Sequence, residues 1–393
     1  MNVQRSTFKV QRLAVIAALL LACSVVAADS DPRLKEFAAQ KHRQVEELAA
    51  KLHLDVPAEA REFFKAAEAG DWIAVSNCFE RIRPEPGTNG PLPGLNNVLY
   101  EPIHETYWAY DEFNEWDAAL MQKFADGILR SIPPGSIYFG GTDPGRFVIT
   151  AVRDVAKSPD IFIVTQNLLG VDSHYTEYLR LLYGNRMWVP SEKDVQQAFQ
   201  RDTEDAKTLS GIMAVIDKLT KMIFENNKTQ HEFYVEESYV IPWMYPYLEP
   251  HGLIMKLNKE PLAQLDPAIV AQDRQFWESL TQQLLVDPKF LNNEWARKTF
   301  AKLRTSIGGV YTYRHMTNET EAVFKQALEL GPTSPEAVFR LAQFQTEAGH
   351  FDDALAVLER FHDRLRAGDP FRSAAEQGIA QIREMKRKAE QAK

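Results

Sequence analysis

Between Ile132 and Asn167 the chain reads strand, glycine-rich loop, helix, strand, and few arrangements satisfy that order. Ile137, Tyr138 and Phe139 form a short apolar run closed by Gly140 and Gly141. Paired glycines free the backbone to turn, Thr142 or Asp143 can cap the helix that follows, and Pro144 suits its first turn. Phe147, Val148, Ala151, Val152 and Val155 then recur at helical spacing until Ser158-Pro159 stops them. Ile161 to Val164 is apolar without a break, as in a strand buried on both faces. The expectation is a Rossmann-like β-α-β centre with a right-handed crossover, in a small and mostly parallel sheet.

A chain of 393 residues, 45% hydrophobic and 25% charged, has material for two or three domains and a full core. Its first residues carry Arg5, Lys9 and Arg12, and Leu13 to Ala22 is wholly apolar before small residues take over. That order is a secretory signal peptide over residues 1–28, too short to be read as a membrane anchor. Val25 and Ala27 suit a soluble cut, whereas Leu20-Leu21-Ala22-Cys23 resembles a lipobox in which Cys23 is acylated. The expected location is extracytoplasmic, periplasmic or secreted, with a lipid-anchored envelope protein as the alternative. Removing three cations takes the formal charge from −9 to about −12, which disfavours nucleic acid and anionic membranes as partners. A membrane then enters only through a lipid on Cys23. Cys78 is the one other cysteine, so no internal disulfide is expected and stability must come from the core.

Residues 29–83 read as an N-terminal helical region: a charged helix from Pro32, then a hairpin opened by Pro57 and turned at Gly70-Asp71, with Cys78 packed inside it. Residues 84–97 hold Pro84, Pro86, Gly87, Gly90, Pro91, Pro93 and Gly94, too many breakers for regular structure, and read as a linker. An α/β domain follows over residues 98–260. From Pro102 to Arg130 it mixes His104, Tyr107, Trp108, Tyr110, Phe113 and Trp116 with acids; this is either a sugar platform or an amphipathic helix packing on the sheet, the second being favoured. Met187 to Pro190 reads as an edge strand, and Glu232 to Val235 and Leu253 to Leu257 as further strands. The segment between these last two, Glu236 to Tyr247, is aromatic, punctuated by proline and opened by two acids.

Residues 261–393 read as all-helical, with an internal period near 34 over residues 301–368. Ile307, Gly308, Tyr311, Phe324, Ala327 and Pro332 take the repeat positions in one copy, and Leu341, Ala342, Gly349, Phe351, Ala354 and Leu358 in the next. Thr320 stands where the repeat carries alanine, and Gln345 where it carries an aromatic. Such units must stack to bury their apolar faces. The ensemble resembles exported bacterial tetratricopeptide-repeat proteins of uncharacterised family. The central part, Gly140 to Phe147, Pro159 to Val164 and Gly252 to Leu257, also resembles the soluble domain of multi-spanning O-mannosyltransferase-like proteins. The spans that would carry glycosyl transfer have no counterpart here, so the resemblance does not imply that activity.

The glycine loop is spaced GGxxxG, and Thr165-Gln166-Asn167 stands where a dinucleotide site places its acid. Donors there suit an anion or a sugar, with Arg146 as a helper, although the glycines also have a purely structural reading. The candidate ligand-binding residues are Gly140, Gly141, Thr142, Asp143, Arg146, Glu236 and Glu237. No HExxH and no GxSxG occurs, and neither a metal nor a cofactor is expected. The reading is a non-catalytic extracytoplasmic binding protein whose repeats hold a protein partner and whose α/β cleft holds a small ligand. The alternative is an envelope glycan-modifying enzyme, glycosyltransferase-like or hydrolase, with its acids at the strand ends.

Overall fold

The computed structural model describes residues 31–83, 94–155, 160–170, 173–200, 209–236 and 241–391. The expected signal peptide, both of its cuts, most of the expected linker and Glu237 lie outside these residues. The described chain falls into two compact units, residues 31–340 and residues 341–391.

Unit 31–340 opens with α1 (Pro32–Leu52), α2 (Ala58–Ala69) and α3 (Trp72–Ile82). Asp31 and Asp71 cap α1 and α3 through their carboxylates, and Gly70 ends α2 in the left-handed region at φ 78°, as its place in the turn requires. Phe63, Phe64 and Phe79 form the hairpin core with Cys78 buried beside them. The two helices that follow are α4 (Asn97–Glu115) and α5 (Ala118–Leu129), parted at Asp117, which caps the second. The aromatic side chains of α4 pack inward. Tyr107 stacks on Phe79 at 3.7 Å, Tyr110 is fully buried with its hydroxyl on the Ala67 carbonyl, and Trp108 stacks on Phe147. The expected single helix packing on the sheet is corrected: the stretch is two helices, and these aromatics pack on the N-terminal helices and the π-helical turn instead.

The sheet contains β1 (Ile137–Gly140), β2 (Phe162–Thr165), β3 (Phe233–Val235), β4 (Leu248–His251) and β5 (Ile254–Leu257) in the order β2-β1-β3-β5-β4. β1 runs parallel to both neighbours, with Ile137 opposite Phe162 on one side and Phe233 on the other. Every residue of these three strands is buried, which the unbroken apolar runs require. Between β1 and β2 the chain makes a π-helical turn, Pro144–Val148, and runs on as α6 (Ile149–Val155).

Three further expectations need correction. The sheet is mixed rather than mostly parallel, because β5 pairs antiparallel with both β3 and β4, and it is a small sheet in a mostly helical chain. β4 was not foreseen. Its Pro250 has no amide to give a ladder, yet the strand lies at the sheet edge, and Gly252 at φ 60° turns it tightly into β5. Met187 to Pro190 is not a strand. The backbone of Trp188 is matched instead by the Asn227 side chain, which accepts from its N–H at 2.8 Å and donates to its carbonyl at 2.9 Å, standing in for a neighbouring strand.

Helices α7 (Gln166–Leu169), α8 (Ser173–Tyr183), α9 (Glu192–Gln200) and α10 (Leu209–Asn227) join β2 to β3, and Phe224 of α10 packs edge-on against Phe233. After β5 come α11 (Pro267–Leu285), α12 (Pro288–Asn292), α13 (Glu294–Tyr313), α14 (Thr317–Leu330) and α15 (Pro335–Glu347). α13 and α14 form the first helical pair of the repeat region. Gly308 lets them close, since a methyl there would strike the Phe324 ring. The opposite side of α13 is already taken, because it packs along the β4–β5 hairpin and Arg314 donates to the carbonyls of Pro246 and Leu248 at 3.3 and 2.8 Å.

Residues 341–391 carry the end of α15, then α16 (Phe351–Arg364) and α17 (Pro370–Gln391). Leu341, Ala342, Ala354 and Leu358 are buried, as the second repeat copy demands, while Phe351 is half-buried. α17 packs against α16 through Ala375 and Ile382, with Arg383 on Glu359 at 2.7 Å. The two departures from the repeat pattern leave a physical trace. Among the described residues, the Thr320 hydroxyl and Gln345 Oε1 are buried without a hydrogen-bond partner. A polar atom in a position shaped for alanine or an aromatic ring finds nothing to bond.

Candidate functional site

With β1 in the middle, the chain leaves it toward β2 on one side and later enters β3 on the other. In open sheets, the carboxyl edge between two such strands is where ligands bind, because the connections diverge there and leave a crevice. The loop Gly140 to Arg146 leaves β1 at that edge, and Glu236 leaves β3. The glycine loop and one of the late acids therefore meet, which their separation of some hundred residues did not announce.

They meet as donor and acceptor. The Glu236 carboxylate accepts from the Thr142 hydroxyl at 2.6 Å, the Thr142 N–H at 3.2 Å and the Gly141 N–H at 3.3 Å. It is 1% exposed, and among the described residues no cation pairs with it. Gly145 is the floor beneath it, since a methyl there would fall inside the carboxylate. Thr142 serves twice, its hydroxyl also accepting from Gly145 N–H at 3.1 Å, so it caps the π-helical turn; the Asp143 side chain makes no cap bond. Gly140 is needed for a similar reason, as a side chain there would lie 2.9 Å from the Gly145 carbonyl.

Burial pushes the Glu236 carboxyl above its ordinary value, and the Thr142 hydroxyl and the two amides pull it back only in part. For an acid so raised, the folded state holds its proton to higher pH than the unfolded state does. Its contribution to stability is therefore fully present below the usual glutamate value and is lost as pH rises through the folded value. Glu236→Gln, whose amide can give to Thr142 Oγ1 and whose oxygen can take both N–H groups, is expected to remove this loss. Unfolding free energies of the two chains from pH 4 to pH 7 should diverge in favour of the glutamine variant; parallel curves would refute the assignment.

Arg146 does not join this carboxylate. Its guanidinium donates to His104 Nδ1 at 3.2 Å, lies 3.9 Å from Glu101 Oε2 and sits 4.3 Å over the Phe147 ring, so it fastens the turn to α4. Burial and the Arg146 charge hold His104 well below its usual range, so its ring is neutral and carries its proton on Nε2. Beside it, a buried Lys41–Glu105 pair at 2.7 Å receives the Tyr178 hydroxyl at 3.0 Å, joining α1, α4 and α8. Asp143 is half-buried at the start of the turn.

Asn167 was not singled out as a ligand-binding candidate, yet its amide donates to the Gly141 carbonyl at 3.1 Å and holds the loop from the β2 side. Its position where a dinucleotide site has an acid was the available signal. A separate open groove of about 470 Å³ lies among Lys123, Leu253, Phe276, Leu280 and Phe300, and contains none of the candidate residues. Among the described residues no cluster of histidine, cysteine and acid side chains could hold a metal, and no helix is long and apolar enough to cross a membrane.

Comparison with known families matches residues 314–364 to the tetratricopeptide repeat. No curated protein matches the chain, and no solved structure does.

Proposed function

We infer that this chain is a non-catalytic, extracytoplasmic interaction protein whose tetratricopeptide repeat engages a protein partner. The match over residues 314–364 is the observation that carries the reading, because helical repeats of this kind present surfaces that bind other proteins. The extracytoplasmic address rests on the basic, then apolar, then small-residue order of residues 1–28. The α/β part is read as the scaffold that carries the repeat: α13 is built into it through the β4–β5 hairpin, which leaves the later helices to meet a partner. The glycan-modifying alternative needs two carboxylates facing one cleft, and the one that reaches the glycine loop is already bonded on both oxygens.

Gln343 and Glu347 lie exposed on α15, bonded to each other at 2.8 Å. In affinity capture from envelope fractions, changing both to lysine in the full chain is expected to lower partner recovery roughly tenfold or more, with folding unchanged. Equal recovery by the two chains, or no retained protein with the unaltered one, would overturn the reading.

A further inference from the structure

We propose that Glu236 is the resident ligand of the crevice between β1 and β3: the chain itself supplies, from the end of one strand, the carboxylate that the loop after the other is shaped to bind.

The number and placement of donors favour this group. One carboxylate oxygen takes two backbone N–H groups and the other takes a hydroxyl, which is the complement of a planar acid with two acceptor edges. A phosphate brings more charge and a third peripheral oxygen, and phosphate loops answer it with a cation. Here Arg146 is turned to His104 and Glu101, and Lys302, the cation whose charge reaches Glu236, is paired with Glu336 at 3.5 Å. The delivery is rigid as well. Glu236 N–H stays in the ladder, bonded to the Phe139 carbonyl at 3.0 Å, so the side chain is presented by strand register. Gly145 then completes the fit, because only a residue without a side chain leaves room for the carboxylate. The glycines that resemble a nucleotide loop are thus explained by an intramolecular ligand, and the crevice of the unaltered chain is closed to phosphate-bearing molecules.

This assignment does not depend on the partner reading. It is tested with full-length Glu236→Ala, which leaves a vacancy the size of a carboxylate. Titration with sodium formate or acetate, against sodium chloride at equal ionic strength, is expected to raise the Tm of the variant saturably by roughly 2 °C or more and to leave the unaltered chain unmoved. Inorganic phosphate and pyrophosphate are expected to act on neither chain beyond the salt control. Formate and chloride acting alike on the variant would sink the proposal, and so would saturable stabilisation of the unaltered chain by pyrophosphate. Should Glu236→Ala not fold, Glu236→Gln supplies the test through the Gly141 and Thr142 amide proton resonances. At a pH high enough for Glu236 to be ionised in the folded chain, both should move upfield on loss of a charged acceptor, and unmoved resonances there would refute the bonding.

Discussion

Asp273→Ala is expected to lower the stability of the unit formed by residues 31–340 by about 3–5 kcal/mol, the cost of stranding a buried charge. Asp273 on α11 is 4% exposed and receives Arg304 Nη1 at 2.9 and 2.8 Å on its two oxygens, with the Tyr311 hydroxyl at 2.8 Å. Arg304 is equally hidden. Its Nε donates to Gln326 Oε1 at 2.7 Å, and its guanidinium lies 5.1 Å over the Trp277 ring. Burial lowers the Arg304 pKa while Asp273 opposes the shift, and burial followed by the Asp273 charge raises the Tyr311 hydroxyl far above its usual range. Removing the carboxylate leaves a guanidinium that neither water nor a counter-ion can reach. The network joins α11, α13 and α14, so the loss should appear in the cooperative unfolding of the whole unit. Denaturant titration monitored by circular dichroism would measure it. Replacing Asp273 and Arg304 together by leucine and methionine should recover much of the cost, because apolar packing substitutes well for a buried pair but not for half of one. A loss under about 1 kcal/mol for the single change would show that water reaches the site.

Gly145→Ala sets two physical effects against each other. In a helical turn, alanine for glycine stabilises by roughly 1 kcal/mol through the unfolded chain. In this turn the new methyl falls inside the Glu236 carboxylate, and overpacking of that kind costs about 1–3 kcal/mol or more. Destabilisation is therefore expected, opposite in sign to helix propensity. A double-mutant cycle isolates the cause. In the Glu236→Ala background the obstruction is gone, so Gly145→Ala should become neutral or mildly stabilising, with a coupling above about 1 kcal/mol between the two sites. Additive effects would mean that Gly145 is required for another reason, and the resident-ligand assignment would lose its steric support.

The first two strands, the helical hairpin and the repeat helices were legible because each rests on neighbours in sequence. Gly140-Gly141 ends β1, Thr142 caps the turn after it, Gly70-Asp71 turns the hairpin, and the second repeat copy falls on α15 and α16; the break at Asp117, inside a stretch that reads as one helix, was missed. Where a side chain far along the chain intervened, the local signal misled. Trp188 looked like part of a strand, but Asn227 met its backbone first. β4 went unforeseen around Pro250, yet an edge strand needs no amide on its outer side. The last glycine of the GGxxxG loop, Gly145, resembled part of a nucleotide loop only by spacing, and the space above it belongs to Glu236.

By itself the sequence determined the β-α-β unit, the helical hairpin, the repeat period and the export-like leader composition, since side-chain periodicity, capping and backbone freedom act over a few residues. Only the tertiary structure decided that the sheet is mixed and that Arg146 turns to α4. It alone placed the carboxylate of Glu236 among the donors of the glycine loop. Those outcomes depend on which distant groups reach a buried donor before water does, and no local pattern encodes that competition.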